Sequence, residues 1–179
     1  MATAHLISGL PCSGKTTYAK LLSLQTGAIL FRLDIWLKTL YDDYSLADVE
    51  YSEHVRRVSA CREMIWFSSK EFLSRGIDVI LDDGFFYSEH RLQHSKLASE
   101  VSADACIHYL NTPIEIIKER LNKRNSELPD NTFFISDEVL ADFIDKYEIP
   151  DSTKEGNVKD ILPSDFPAEA LAGLTSQLG

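Results

Sequence analysis

The sequence predicts an α/β fold in which a parallel sheet is covered by helices on both faces, of the P-loop, nucleotide-kinase-like kind. Three observations predict it. From His5 to Asn125 short apolar runs alternate with segments of helical periodicity, the pattern of strand–helix–strand units whose crossovers place helices on both sides of a sheet. The first run leads directly into G-x-x-x-x-G-K-[ST]. Two later runs end in aspartates, at the position where an open parallel sheet presents groups to a ligand.

Taken in order, His5 to Ser8 is apolar and closed by a glycine-containing turn, which predicts a buried strand. A helix is predicted from Gly14 to about Gln25, and Ala28 to Phe31 forms the second strand. Val55, Val58, Cys61, Ile65, Ser69 and Phe72 recur at three-to-four spacing, so a long amphipathic helix is predicted there. Arg75-Gly76 stops it. Ile77 to Leu81 is the third strand, broken by Asp82-Asp83-Gly84. A helix from about Ser88 to Val101 carries Leu92, Ser95, Ala98 and Val101 on one stripe, and Ala105 to Leu110 is the fourth strand. Thr112 is placed as an N-cap with Pro113 at the first helical position, where its missing N–H costs nothing. Beyond Asn125, Ser136 starts a helix to about Tyr147 without a full capping box. An acidic loop from Pro150 and a last helix from Ala168 complete the reading.

The segment Gly9-Leu10-Pro11-Cys12-Ser13-Gly14-Lys15-Thr16, followed by Thr17, lies between a predicted strand and a predicted helix, the context its motif requires. Such a turn points successive amides into a concavity, and the helix adds unpaired N–H groups and the positive end of its dipole. Lys15 supplies a mobile charge for the β- and γ-phosphates, and the Thr16 hydroxyl is placed for Mg²⁺. ATP with Mg²⁺ is therefore the predicted ligand. A dinucleotide site is the competing use of a glycine-rich first turn. The absence of G-x-G-x-x-G and the Gly14-Lys15-Thr16 ending decide against it.

Asp34 follows the second strand and could accept the proton of an attacking hydroxyl, or cap a helix over Ile35 to Leu40. Asp82 directly continues the most apolar strand, where the acid that serves Mg²⁺ is placed, and is favoured over Asp83. Arg120 and Arg124 are four apart on one helix face and fit two roles equally: closing over a triphosphate, or forming a solvated basic helix end. Arg56, Arg57 and Arg62 are expected at the surface. The five histidines show no ligand spacing, and Cys12 is read as a small residue in a variable loop position.

The 179 residues suit one domain, and three cysteines without C-x-x-C spacing indicate neither a disulfide framework nor a zinc site. No signal-peptide pattern or membrane-length apolar run occurs, so a cytoplasmic protein is expected. The net charge of −10 is uneven: residues 1–126 carry 15 Lys/Arg against 16 Asp/Glu, and residues 127–179 carry 3 against 12. A basic stripe of the kind that binds polyphosphate backbones is not advertised, which disfavours a nucleic-acid substrate while leaving a local basic groove open.

The loop Gly9 to Thr17, Asp34-Ile35-Trp36, Leu81-Asp82-Asp83-Gly84-Phe85-Phe86-Tyr87-Ser88, His108 to Pro113 and Arg120 to Asn125 together resemble the AAA_33-type P-loop kinases, small kinases related to polynucleotide 5′-kinase, zeta toxins and chloramphenicol phosphotransferase. The resemblance covers about residues 5–150. It implies ATP/Mg²⁺ binding, an acid at Asp34 acting on the acceptor hydroxyl, and a small helical lid, about residues 114–135, carrying Arg120 and Arg124. Asp83 departs from the apolar or small residue expected there. The leading expectation is a kinase that moves the γ-phosphoryl of ATP to a hydroxyl of a small molecule. A polynucleotide 5′-hydroxyl kinase and an ATP-binding switch without an acceptor are the alternatives. The expected organisation is one domain over 1–179 with an acidic segment at about 150–179; neither the acceptor nor the oligomeric state follows from the residues.

Overall fold

A computed structural model describes residues 1–41, 49–127 and 134–165 of the chain. The elements run β1 (Thr3–Ser8), α1 (Lys15–Thr26), β2 (Ile29–Arg32), α2 (Leu33–Leu40), α3 (Tyr51–Leu73), β3 (Val79–Gly84) and α4 (Ser88–Glu100). Then follow β4 (Asp104–Leu110), α5 (Ile114–Glu127), α6 (Asp137–Lys146), the short α7 (Ser152–Glu155), β5 (Val158–Ile161) and a 3-10 turn at Pro163–Asp165. The strands form one sheet in the order β2-β3-β1-β4-β5, and every pairing is parallel.

Parallel neighbours need crossovers, and these carry the helices to the two faces. On one face Ala4, Leu6, Val79, Leu81 and Ile107 pack with Leu33 and Leu37 of α2, Cys61, Ile65 and Leu73 of α3, and Ala98 of α4. On the other, Ile7, Ile80 and Leu110 pack with Ala19 of α1. Residues that alternate along β1 therefore serve opposite cores, which is why the strand reads as a continuous apolar run. A third cluster of Leu10, Ile117, Leu121, Ile135 and Leu140 joins α5 and α6 to the loop after β1. Full burial of each such aliphatic side chain contributes about 1.5–3 kcal/mol.

Four expectations are corrected. The acidic stretch after Pro150 is not a loop throughout: it forms α7 and the edge strand β5, whose Val158 to Ile161 pair with Ile107 to Leu110. Half-buried Val158 and Ile161 stand three apart, on opposite faces with exposed Lys159 and Asp160 between them, so no two-residue period signals a strand. On α4 the inward position belongs to Arg91, fully buried, while Leu92 is 45% exposed. Thr112 does not cap α5; its Oγ1 donates to the Ser13 carbonyl at 2.8 Å. Asp34 does not cap α2, whose N-cap is Arg32. Ser136 does cap α6, accepting from the Val139 amide at 3.3 Å. The helix expected from Ala168 lies outside the described residues, as do residues 128–133 of the expected lid.

Candidate active site

Because every strand points the same way, Ser8, Arg32, Gly84 and Leu110 end along one edge of the sheet, and the polar residues after them converge. The turn from Gly9 to Gly14 links β1 to α1. Gly9 has φ +153°, its amide donates to the Gly84 carbonyl at 3.1 Å, and a Cβ there would lie 2.8 Å from Ser13 Oγ. Only a residue without a side chain fits. Cys12 also sits in the left-handed region, at φ 60°. The loop is braced from below by Thr112 and from α5 by Arg120, whose Nη1 donates to the Cys12 and Ser13 carbonyls at 3.4 and 3.3 Å.

Lys15 bends back over the loop, with Nζ donating to the Leu10 carbonyl at 2.8 Å. Thr16 Oγ1 donates to Asp82 Oδ2 at 2.7 Å, and Arg32 Nε stands 4.0 Å from the same oxygen. Asp83, next in sequence, turns away: Arg62 Nε and Nη2 grip its two carboxylate oxygens at 2.6 and 2.7 Å. The two adjacent aspartates thus face different partners, as successive residues of a strand must.

Asp34 lies in the first turn of α2. Burial pushes its carboxyl above the usual range, the Asp82 charge pushes the same way, and Lys15 opposes both. Asp82 is likewise raised by burial, against the Thr16 hydrogen bond and the Lys15 charge. Burial lowers Lys15, while Asp82 and Asp34 favour its charged form. One lysine and two carboxylates therefore share a poorly solvated site.

A groove of about 1010 Å³ runs along these groups, lined by Pro11, Cys12 and Gly14 to Thr17 at one end and by Asp34, Asp82, Arg120 and Arg124. It continues past Asp34 along Tyr51, His54, Val55 and Val58 of α3, with Tyr87 and His90 opposite. It exceeds the usual 300–1,000 Å³ of a single-ligand pocket. Lys15, Thr16, Asp34, Asp82, Arg120 and Arg124 are thus brought to one cavity.

Arg62 overturns its expected surface placement: it lines this groove on Asp83. Its position four residues after Val58, on the stripe already assigned inward, was the available signal. Arg56 and Arg57 instead hold Glu53. Tyr147, read from the sequence only as the end of a helix and within a weaker stretch of the family resemblance, Tyr147-Glu148-Ile149-Pro150, has its hydroxyl 2.8 Å from Ser8 Oγ at the end of β1. The donor set that Thr16 and Asp82 offer, a hydroxyl beside a buried carboxylate, is the oxygen chemistry that suits Mg²⁺.

The model of the AAA_33 family, described as an AAA domain, matches residues 5–150. The chain is 22% identical over 161 residues to the L-seryl-tRNA(Sec) kinase of Methanococcus maripaludis, an alignment covering 87% of this chain and 56% of that protein. It therefore spans only about half the length of that relative. Among solved structures it is similar to Kti12 of Chaetomium thermophilum in complex with ADP-AlF3, at TM-score 0.69 and 18% identity over 97% of this chain and 96% of that one. It is also similar to a gluconokinase from Sinorhizobium meliloti, at TM-score 0.60 and 16% identity, covering 98% and 93%. These likenesses show the α/β nucleotide-kinase-like fold.

Proposed function

We propose, from the premise that this chain belongs to the AAA_33 family, that it is an ATP-dependent phosphotransferase that moves the γ-phosphoryl group of ATP onto a hydroxyl of a small molecule. The observation that carries the reading is the single groove in which a P-loop, a lysine, the buried Asp82 and the exposed Asp34 meet, with room beyond Asp34 for a second ligand.

In this reading the amides from Gly9 to Thr17 and the start of α1 bind the phosphates, and Lys15 releases the Leu10 carbonyl to reach the β- and γ-phosphates. Thr16 and Asp82 would hold Mg²⁺, which when bound offsets phosphate charge. Asp34 accepts the acceptor's hydroxyl proton as the new O–P bond forms and the bond from the γ-phosphorus to the bridging oxygen of ADP breaks. Its carboxyl, raised above the ordinary range by its surroundings and the Asp82 charge, suits a base near neutral pH better than an unperturbed aspartate does. Arg120 and Arg124 approach the transferred group from α5 and stabilise the charge that develops there.

The test is direct: incubate the protein with γ-labelled ATP, Mg²⁺ and a panel of hydroxyl acceptors, in parallel with Asp34→Asn. Transfer by the wild type and its loss in the variant are the expected outcome; equal labelling by both removes Asp34 as the base. A second reading, an acceptor hydroxyl borne on RNA, is favoured by the similarity to a seryl-tRNA kinase over 87% of this chain. A serine-charged tRNA belongs in the panel for that reason.

A further inference from the structure

Two histidines and a cysteine lie on the sheet face that is otherwise built from Ile7, Ile80 and Leu110. His5 on β1 pairs in register with Cys106 on β4, and His108, two residues further along β4, points to the same face. All three are buried, at 8%, 2% and 1% exposure. Their ligand atoms lie within 4.8 Å of one another, and His5 Nδ1 is 2.9 Å from His108 Nε2. No ligand spacing is visible among the histidines in the sequence, yet strand register brings together residues 103 apart. The available signal was Cys106-x-His108 on a predicted strand, where a spacing of two means one face.

One of the two remaining ring nitrogens is held from outside. His108 Nδ1 is 2.7 Å from the Tyr18 hydroxyl of α1. His5 Nε2 is buried without a hydrogen-bond partner, and Asp78 Oδ2 lies 3.9 Å from it. Asp78 is itself fixed, since its Oδ1 accepts the Thr3 amide at 2.8 Å. Ligating histidines characteristically turn one nitrogen to the metal and anchor the other on a carboxylate or another oxygen.

We propose that His5, Cys106 and His108 form a zinc site beneath α1, separate from the Thr16/Asp82 position, with Tyr18 anchoring the His108 imidazole, the Asp78 carboxylate facing His5 and water completing the tetrahedron. Two imidazole nitrogens and a thiolate are donors that zinc takes, and three protein ligands leave its fourth position to water. At Zn–N distances of about 2.0–2.1 Å, tetrahedral ligands stand about 3.3 Å apart, so the two facing nitrogens open by only about 0.4 Å. Both imidazoles keep their lone pairs at neutral pH, because burial lowers His5 and pushes His108 down to about 3. Burial raises the Cys106 thiol and Lys159 favours its ionised form; the metal itself removes the remaining proton. Thiolate and Asp78 together balance the two positive charges, while Lys159 opposes the metal. The ion would tie β1, β4 and, through Tyr18, the helix that carries Lys15 and Thr16.

The experiment expresses the full chain in zinc-supplemented medium, dialyses it against metal-free buffer and measures bound metal by mass spectrometry. About one zinc per chain is expected. Cobalt added during refolding should give a thiolate-to-cobalt absorption band that Cys106→Ser abolishes and that zinc displaces. Substoichiometric zinc together with no cobalt band in the wild type overturns the proposal whatever the variants do. So does zinc retained undiminished by Cys106→Ser and His108→Gln, which would mark surface binding only.

Discussion

Asp34 opens onto the groove, exposed on its own account, yet the protein around it and the charge of the buried Asp82 carboxylate both push its carboxyl above the usual range. The folded chain therefore holds this proton more tightly than the unfolded chain does. Stability is accordingly lost as pH rises from the ordinary carboxylate range through the raised folded-state value. Asp34→Asn removes that cost. The variant should melt higher than the wild type at pH 7.5, by about 2–4 °C for each kcal/mol recovered, and the gap should close as pH is lowered towards 4. In the same variant, phosphoryl transfer should fall by about 10²–10⁴-fold, the range of general-base contributions, with nucleotide affinity little changed. For the wild type, the acid limb of kcat should lie above the pH expected of an exposed aspartate. A variant that is no more stable, or a limb near pH 4, would count against Asp34 as an ionised, desolvated base. At this scale the sequence was legible wherever chain order alone positions a group: Lys15, Thr16 and Asp82 follow directly from a strand end. Arg62 was not legible, because its role depends on Asp83, which arrives from another strand.

The turn after β3 shows what an element can hide. Gly84 and Phe85 both have positive φ, at 88° and 43°, and the second carries a bulky side chain in a region such residues avoid. Its carbonyl is held by Arg91 Nη1 at 2.8 Å and by Ser8 Oγ at 3.0 Å. Arg91 in turn is locked to Glu155 of α7 through two hydrogen bonds of 2.5 and 2.9 Å, with both side chains almost wholly buried. The loop that follows Asp82 and Asp83 is thus fixed from a segment seventy residues away in sequence order, near the chain's edge strand. Helical periodicity could not reveal this, since an arginine at an inward position reads as a break in the stripe rather than as an anchor. Glu155→Leu leaves the guanidinium buried without its counter-charge, and a loss of about 3–5 kcal/mol is expected. That corresponds to a melting temperature lower by about 10 °C or more in a chain of this size. Replacing both residues, as Arg91→Met with Glu155→Leu, should recover much of it, because an apolar pair needs no compensation. Equal losses in the single and double variants would mean the carbonyl contacts of Arg91, not the ion pair, hold the turn. Gly9→Ala acts on the neighbouring loop: with Ser13 Oγ 2.8 Å from the new carbon, the loop must shift, and ATP affinity should fall at least tenfold while the fold persists.

Across the whole molecule, the site holds together unlike charges and unlike demands. Lys15 rests on a carbonyl, Thr16 on a carboxylate, and two acids oppose one another. A ligand that supplies phosphate oxygens to Lys15 and a cation to the acids relieves all three, so nucleotide with Mg²⁺ should stabilise the chain strongly. At one hundred times its Kd the gain is about 2.7 kcal/mol, or roughly 5–10 °C in melting temperature. Lys15→Ala should abolish the shift. Charge sets a second whole-molecule expectation. Residues 127–179 carry 3 basic against 12 acidic residues, and the first 126 are nearly balanced, so the surface offers no excess of cations to displace counterions from a nucleic acid. Single-stranded RNA should therefore bind weakly, with an affinity that changes little between 50 and 200 mM salt. An RNA-borne acceptor would then be recognised through its esterified hydroxy compound rather than its backbone. A logarithmic salt slope steeper than about −4 would instead require six or so phosphate contacts. In that event Arg120 and Arg124 of α5 cannot supply them alone, and the acceptor arm of the groove would have to be reassigned to a polynucleotide.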